Sequence, residues 1–438
     1  MSSSTDAMYN ARSRYIHQMF RIHFSSSKVL EVKRSEYLMS SSLLEELYKH
    51  TDSPFGDITS NEITLTLFND KGIFNPVNVD SEYYGLIKKG IKIEAFIKPD
   101  GIDDWDQVGT YYVNDWVTST TGTTADVTAN DILHTVLNGP VPQISVYRDI
   151  HFKDFIELYF RHFGLVVSVD EAIDYIIPYA YTCEYSDNKS FLLDLMKSAL
   201  ADCFCDHNGN IRILSKLSTR VTRAKFTDSD QIIDVTVKQS ITTNYDSATV
   251  SCYKCQESPE QTVIDLADLS VVPGLNSTGK LATSEYPILS IRSVKVNGAE
   301  NVSVRNFSAS ASDFECTLQS TTNASVSISA VGTSLVSTKM SFGEALETPL
   351  IVDSLLVQNE DRAELIKNYI EAYVKANMPI VELTVRGNPK IQLGDKIQID
   401  SNRYKVQYSG VVTRVSYEYI GNLTCKMLLA DASVIKEV

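Results

Sequence analysis

Between residues 20 and 136 apolar side chains recur mostly at every second position. Ile63-Thr64-Leu65-Thr66-Leu67 alternates as a strand with one buried face does, and Asn69-Asp70-Lys71-Gly72 follows with turn chemistry. Ile91-Lys92-Ile93-Glu94-Ala95-Phe96 repeats the pattern and runs into the turn cluster Lys98-Pro99-Asp100-Gly101. Gly109-Thr110-Tyr111-Tyr112-Val113 and Ala125-Asp126-Val127-Thr128-Ala129 continue the series. Short strands at this spacing predict a small antiparallel barrel or sandwich.

The period changes near Asp149. Phe152, Phe155, Ile156, Tyr159, Phe160 and Phe163 fall on one face of a helix that Gly164 terminates. A second helix is predicted from Ser190 as N-cap, with Leu192, Leu195, Met196 and Ala199 on one face. Cys203-Phe204-Cys205, the polar run 206–210 and Ile211-Arg212-Ile213 then read as a hairpin. Strands resume at 232–237 and 248–253. Residues 265–345 are rich in Ser, Thr, Asn and Val, and the alternation Ala324-Ser325-Val326-Ser327-Ile328-Ser329 predicts a β-rich insertion. A helix over 362–377 carries the stripe Leu365, Ile366, Tyr369, Ile370, Tyr373 and Val374, and strands follow to Ala430.

These elements predict a β-rich α+β fold with two tube-like antiparallel β-barrel domains. The expected order is an N-terminal arm (1–15), a first barrel (16–145), a small α+β domain (146–224), and a second barrel with its helix (225–264 and 346–438). The β-rich insertion (265–345) interrupts the second barrel. The arm is polar, carries Arg12 and Arg14, and is expected to be flexible alone or ordered by a partner.

The two expected barrels share an order of features. Gly90-Ile91-Lys92-Ile93 precedes Gly109 and a strand ending near Asp131; Gly394-Asp395-Lys396-Ile397 precedes Gly410 and a strand ending at Asp431. Each Gly is expected to open a strand after a turn. Two unrelated meanders would share as much, so duplication is an expectation that strand pairing must decide. With two copies of one barrel per chain, three chains would place six similar units in a ring under closed cyclic symmetry.

Composition narrows the function. The 438 residues are 43% hydrophobic, enough for several cores, and the 40 basic against 55 acidic residues leave a net charge of −15. That balance argues against sequence-specific nucleic-acid binding, which needs a basic face. No apolar run reaches the roughly 18–20 residues of a membrane span, and the N-terminal stretch lacks a continuous apolar segment, so neither stable membrane insertion nor a cleaved secretory signal is expected. Seven cysteines, an odd number in a long chain, read as reduced thiols.

The search for catalytic chemistry is mostly negative. The chain lacks the nucleophile-elbow, zinc-protease, P-loop and dinucleotide fingerprints. Cys203, Cys205 and His207 with Cys252 and Cys255 have zinc-ligand types, but the first three lie at strand period and read as one buried hairpin face. The run Asp206-His207-Asn208-Gly209-Asn210 opens like a calcium loop, yet the twelfth position is Leu217, so a turn is expected. Glu45-Glu46, Asp103-Asp104 and Asp228 with Asp230 have the composition of acid/base couples and read as solvated faces. No catalytic residue, metal ligand or cofactor site is assigned.

One run carries a resemblance. Gly56-Asp57-Ile58-Thr59-Ser60-Asn61-Glu62-Ile63 leads through Asn69-Asp70-Lys71-Gly72-Ile73-Phe74-Asn75-Pro76, Ser81-Glu82-Tyr83-Tyr84 and Gly109–Trp116 to Val127-Thr128-Ala129-Asn130-Asp131. Arg386-Gly387-Asn388-Pro389, Leu393-Gly394-Asp395 and Gly410-Val411-Val412 close the chain in similar style. This resembles the tail hub (baseplate hub or tail-associated) proteins of long-tailed bacteriophages over about 20–265 and 345–436; the insertion has no counterpart there. Up to Val438 there is no peptidase-like or lysozyme-like extension of the kind some members carry.

The resemblance implies a structural virion protein of the viral tail, assembled in the host cytoplasm. It implies a homotrimer that joins the hexameric tail tube or distal tail ring to a three-fold tip, next to spike or receptor-binding proteins. The tape-measure protein and the DNA would pass through its lumen during ejection without sequence-specific binding. The barrel rims are the expected interface, with Phe74, Asn75, Pro76, Tyr83 and Tyr84 on one and Asn388, Pro389 and Gly394 on the other. A cell-wall-degrading tail-tip enzyme and a carbohydrate-binding receptor protein are the alternatives. The second is weakened because the insertion's aromatics are essentially Tyr286, Phe307, Phe314 and Phe342.

Overall fold

The computed structural model describes residues 8–9, 11, 14–34, 36–47, 55–119, 122–228, 232–238, 245–283, 287–376, 379–419 and 423–431. Arg12, Asp230, Tyr286 and Val438, named above, lie outside them, as does residue 377, the expected end of the last helix.

The alternating N-terminal third forms β1 (Ile16–His23), β2 (Val29–Lys33), β3 (Leu38–Glu46), β4 (Glu62–Phe68), β5 (Lys92–Pro99), β6 (Asp106–Thr118) and β7 (Thr124–Asn130). They pair in the order β2-β1-β5-β6-β7-β4-β3. One side chain in two points inward: Ile63, Leu65 and Leu67 meet Ala125, Val127 and Ala129 across the β4–β7 ladder in a shared core. The sheet curls on itself, because strands from its two sides meet where Ser41 Oγ donates to Gln18 Oε1 at 2.8 Å in the interior.

Next come α1 (Ile132–Leu137), β8 (Tyr147–His151), α2 (Phe152–Arg161), β9 (Val167–Val169), β10 (Ile176–Ala180), α3 (Asn188–Ala199), β11 (Ala201–Cys205) and β12 (Ile211–Ser215). The aromatic stripe of α2 is buried, and Gly164 leaves the helix at φ +70°. The N-cap of α3 is Asp187, not Ser190: its carboxylate accepts the Ser190 backbone N–H at 2.7 Å, which places Ser190 inside the first turn. Asp outcompeted Ser here because it sits where it reaches a free helix-end N–H.

After β13 (Thr222–Thr227) and β14 (Ile232–Lys238) the chain leaves the main sheet. β15 (Ser247–Glu257) and β16 (Gln261–Val271) pair along one edge of the long β22 (Ala324–Phe342). Between them lie β17 (Gly274–Ser277), β18 (Leu281–Ala282), β19 (Ile288–Asn297), β20 (Val302–Ala309) and β21 (Asp313–Ser320), over a core of their own that includes Phe314, Leu318 and Ile328. β23 (Pro349–Val352) and α4 (Glu360–Ala376) pack on β15 around Val250, Cys252, Ile366 and Ile370. β15 and α4, expected in the second barrel, therefore stand outside its sheet. Their alternation and stripe are as read, but periodicity does not say which sheet a strand joins.

β24 (Ile380–Val385), β25 (Lys396–Ser401), β26 (Val406–Tyr419) and β27 (Leu423–Asp431) return to the main sheet. There the order β13-β25-β26-β27-β24-β14 repeats the order β1-β5-β6-β7-β4-β3, strand for strand in chain sequence. Two β-bulges repeat as well. A register shift at Leu38/Ser40 matches one at Ile232/Asp234, and one at Val113/Asp115 matches one at Val412/Arg414. Bulges are features of a particular ladder, so shared positions are more telling than shared strand count. The pairs are antiparallel except β13–β25, which is parallel.

The register corrects one expectation. Gly90 and Gly394 both donate to β6 and β26 in the same way, to Val113 O and Val412 O, each at 2.8 Å. Gly109 and Gly410 are not equivalent: Ile93 opposes Tyr111 and Ile397 opposes Gly410, so Gly410 matches Tyr111. Both glycines lie inside their strands and open neither.

The two modules share one continuous sheet. The first half of β26 pairs with β25, and its second half pairs with β3, Arg414 opposite Glu46 through Tyr419 opposite Ser41.

Candidate assembly interface

The loop between β4 and β5, residues 69–91, is built from its own side chains. Asn69 Oδ1 accepts the Phe74 N–H at 2.8 Å while its amide donates to Gly122 O at 3.0 Å. Asn75 and Asn78 each accept a backbone N–H two residues on, at 3.1 Å, the local bonding that suits Asn to turns. Beneath the loop Phe74 and Tyr83 stack at 5.7 Å, with Tyr37, Phe24 and Trp116 around them. Trp116 Nε1 donates to Phe74 O at 3.1 Å. Burial, with help from neighbouring Glu82, pushes the Tyr83 phenol up to about 12.

Phe74 and Tyr83, expected at a rim contact, are thus buried in their own chain. Asn75 and Pro76 are half-buried, and Tyr84 is exposed. The apolar groups that the loop turns outward are Val77, Val79 and Tyr84.

The equivalent loop between β24 and β25 is short and covered. Asn388, Pro389 and Gly394 are all buried. Tyr417 Oη donates to Asn388 O at 3.2 Å. Gly394 stands at φ +82°, and a Cβ there would come within 2.7 Å of Leu214. The arm helps to cover this loop: Arg14 donates to Gly387 O at 2.9 Å, and Arg386 donates to Ala11 O at 3.1 Å. Tyr9 is buried in the first module, its hydroxyl donating to Asp106 Oδ2 at 2.8 Å. Burial and the neighbouring Arg386 lower the Arg14 guanidinium to about 10. The described arm residues are held by this chain's own modules.

Sequence reasoning missed the node under both modules. Glu45, read as solvated, is buried on β3, and His207 Nε2 lies 2.9 Å from its Oε1. Burial disfavours the His207 charge, but Glu45, Asp206 and Asp395 outweigh it and raise the imidazole above its ordinary value. His207 is delivered by the β11–β12 turn, where Asp206 Oδ1 accepts the N–H groups of Asn208 and Asn210, each at 3.0 Å. Gly209 makes that turn at φ +81°, and a Cβ there would lie 2.9 Å from Thr110 on β6. At the other end of that hairpin Lys216 pairs with Asp202 in the interior. Apolar alternation along a strand gives a signal in the sequence; a charge pairing across domains gives none.

Among the described residues, the remaining acids of those pairs are engaged or solvated. Glu46 accepts from Arg414 Nε at 2.9 Å, Asp228 accepts from Ser401 and from the Arg403 N–H, and Asp103 and Asp104 are exposed. Cys203, Cys205 and Cys252 are buried, and among the described residues no three His, Cys, Asp or Glu side chains converge on a metal-sized site. No described helix is long and apolar enough to cross a membrane. In the insertion Phe314 is buried and Phe307 is exposed.

No protein-family model matches the chain, and no curated protein matches it in sequence. Its fold does match solved structures. The 43 kDa tail protein of prophage MuSo2 from Shewanella oneidensis superimposes with a TM-score of 0.55 at 10% identity, over 96% of this chain and 99% of that one. The tail protein from Neisseria meningitidis MC58 does so with a TM-score of 0.55 at 9% identity, over 96% and 97%. The chain has the β-rich α+β fold of these tail proteins over nearly its whole length.

Proposed function

We propose that the chain is a structural protein of a phage-type virion tail, and within it the hub of the baseplate or tail tip. In this reading three chains close a ring of six similar modules. The ring joins a six-fold tube or distal tail ring to a three-fold tip and surrounds the path of the tape-measure protein and the DNA. The observation that supports it most is the in-chain ladder between β26 and β3. It makes one chain a ready-made pair of neighbouring units that share a strand order and two bulges.

The loop 69–91 suits the contact to the ring above. Its aromatic base fixes its shape before binding, which lowers the ordering cost of an interface, and Val77, Val79 and Tyr84 face out. The Ser/Thr-rich insertion is the candidate contact to spike or receptor-binding proteins. The proposed role is structural; among the described residues, the acids of the candidate pairs are bound up in the fold or solvated.

The test is to purify tails or tail tips and quantify the chain against the tube protein. Three copies per tail support the hub; six copies per tail, or none in the particle, contradict it. A zymogram on bacterial walls with the purified chain checks the structural role: clear lysis would overturn it.

A further inference from the structure

Resting on the trimer reading above, we infer that the copies join through one specific edge-to-edge ladder, with residues 117–118 of β6 in one chain against 237–238 of β14 in the next. Each strand of this pair is the counterpart of a strand that is already paired inside the chain. By matched bulges, Asp115 corresponds to Arg414 and Thr118 to Tyr417. By the pairings with β4 and β24, Leu43 corresponds to Val237 and Leu44 to Lys238. The in-chain ladder sets Tyr417 opposite Leu43 and Ser416 opposite Leu44. Transferred to the other module, it sets Thr118 opposite Val237 and Val117 opposite Lys238.

Both edges are open among the described residues. β14 ends the sheet and pairs with β24 alone. β6 pairs with β5 as far as Tyr112, and Val113 still bonds Ile91 O; beyond it β6 pairs with β7 only. The backbone N–H of Trp116 turns to the carboxylate of Asp115 at 3.0 Å. Exposure shows what is missing. Leu43, with β26 beside it, is 1% exposed, whereas its counterpart Val237 is 50% exposed, and Val117 is 50% exposed. An open edge with apolar side chains is a template for another strand. The occupant is a second copy because the complementary edge is on this same chain, in the register that the chain already uses. Such a contact is head-to-tail, and it closes a ring only if each joint turns by the angle of the in-chain joint.

Paired cysteines test this. In the full chain, Thr118→Cys with Val237→Cys, and separately Val117→Cys with Lys238→Cys, are mildly oxidised and run on non-reducing gels, with each single variant as background for the seven native cysteines. Light scattering measures the mass of the same samples before oxidation. A trimer in which a paired variant, and no single one, cross-links into linked chains up to three supports the inference. A trimer in which neither pair links overturns the inference and leaves the trimer reading standing. A chain that stays monomeric at its highest soluble concentration and in reconstituted tails overturns both. Val237→Pro, which removes the N–H that faces the open edge, as that of its counterpart Leu43 faces β26, and leaves the β14–β24 bonds in place, is expected to abolish the trimer with unchanged circular dichroism. A proline variant that still forms trimers also overturns the inference.

Discussion

Glu45 and His207 stand 162 residues apart and meet in the interior beneath both modules. Removing one partner leaves the other buried without its counter-charge, which costs about 3–5 kcal/mol. Glu45→Gln is therefore expected to lower the unfolding free energy by about that amount, read by denaturant titration. The pair also carries a pH signature. The folded chain holds the His207 proton more tightly than the unfolded chain, whose imidazole keeps the ordinary value of 6.5. This contribution is complete below that pH and is lost as pH rises through the raised folded value. Melting temperature is expected to decline with pH from about 6.5 upward, and His207→Gln should flatten that part of the profile. Phe74 carries a simpler expectation. It is fully buried among aromatic rings, so Phe74→Ala should cost about 3–5 kcal/mol, while Tyr84→Ser on the exposed side should leave stability unchanged.

Elements were legible where one periodicity decides. The alternation of Ile63, Leu65 and Leu67 marks β4, and the stripe from Phe152 to Phe160 marks α2, because each has one buried face. What was not legible depends on neighbours distant in sequence. β15 alternates as a barrel strand would, yet it joins β22. Phe74 and Tyr83 sit in a turn-rich run with no period, so their burial in a shared aromatic base could not be told from exposure at a rim. The arm is another case: its polar sequence reads as loose, while Tyr9 and Arg14 anchor it to two modules. Arg14→Ala is expected to release the arm, with faster amide exchange in the described arm residues and at 386–395 and no change in the core of α2. Unchanged exchange at 386–395 would contradict the strap role. For the loop 69–91, replacing Val77 and Val79 together by Ser should leave folding intact and weaken incorporation into tails.

At the scale of the whole molecule the repeat of strand order and bulges is the strongest regularity. In the proposed trimer, two similar units per chain would adapt six-fold to three-fold symmetry without a second gene product. For the proposed hub, the net charge of −15 would suit a conduit for DNA, since like charge limits sticking where screening is poor. Replacing lumen-facing acids by Lys should slow ejection if that charge lines the channel, and unchanged rates would remove the channel argument. The most direct measurement is the mass and projected shape of the assembled particle, by light scattering and electron microscopy of the chain alone or on tails. Three chains of 48.8 kDa in a ring with a hole wide enough for a duplex are predicted. A dimer, an open filament or a three-chain particle without a central hole would contradict the account.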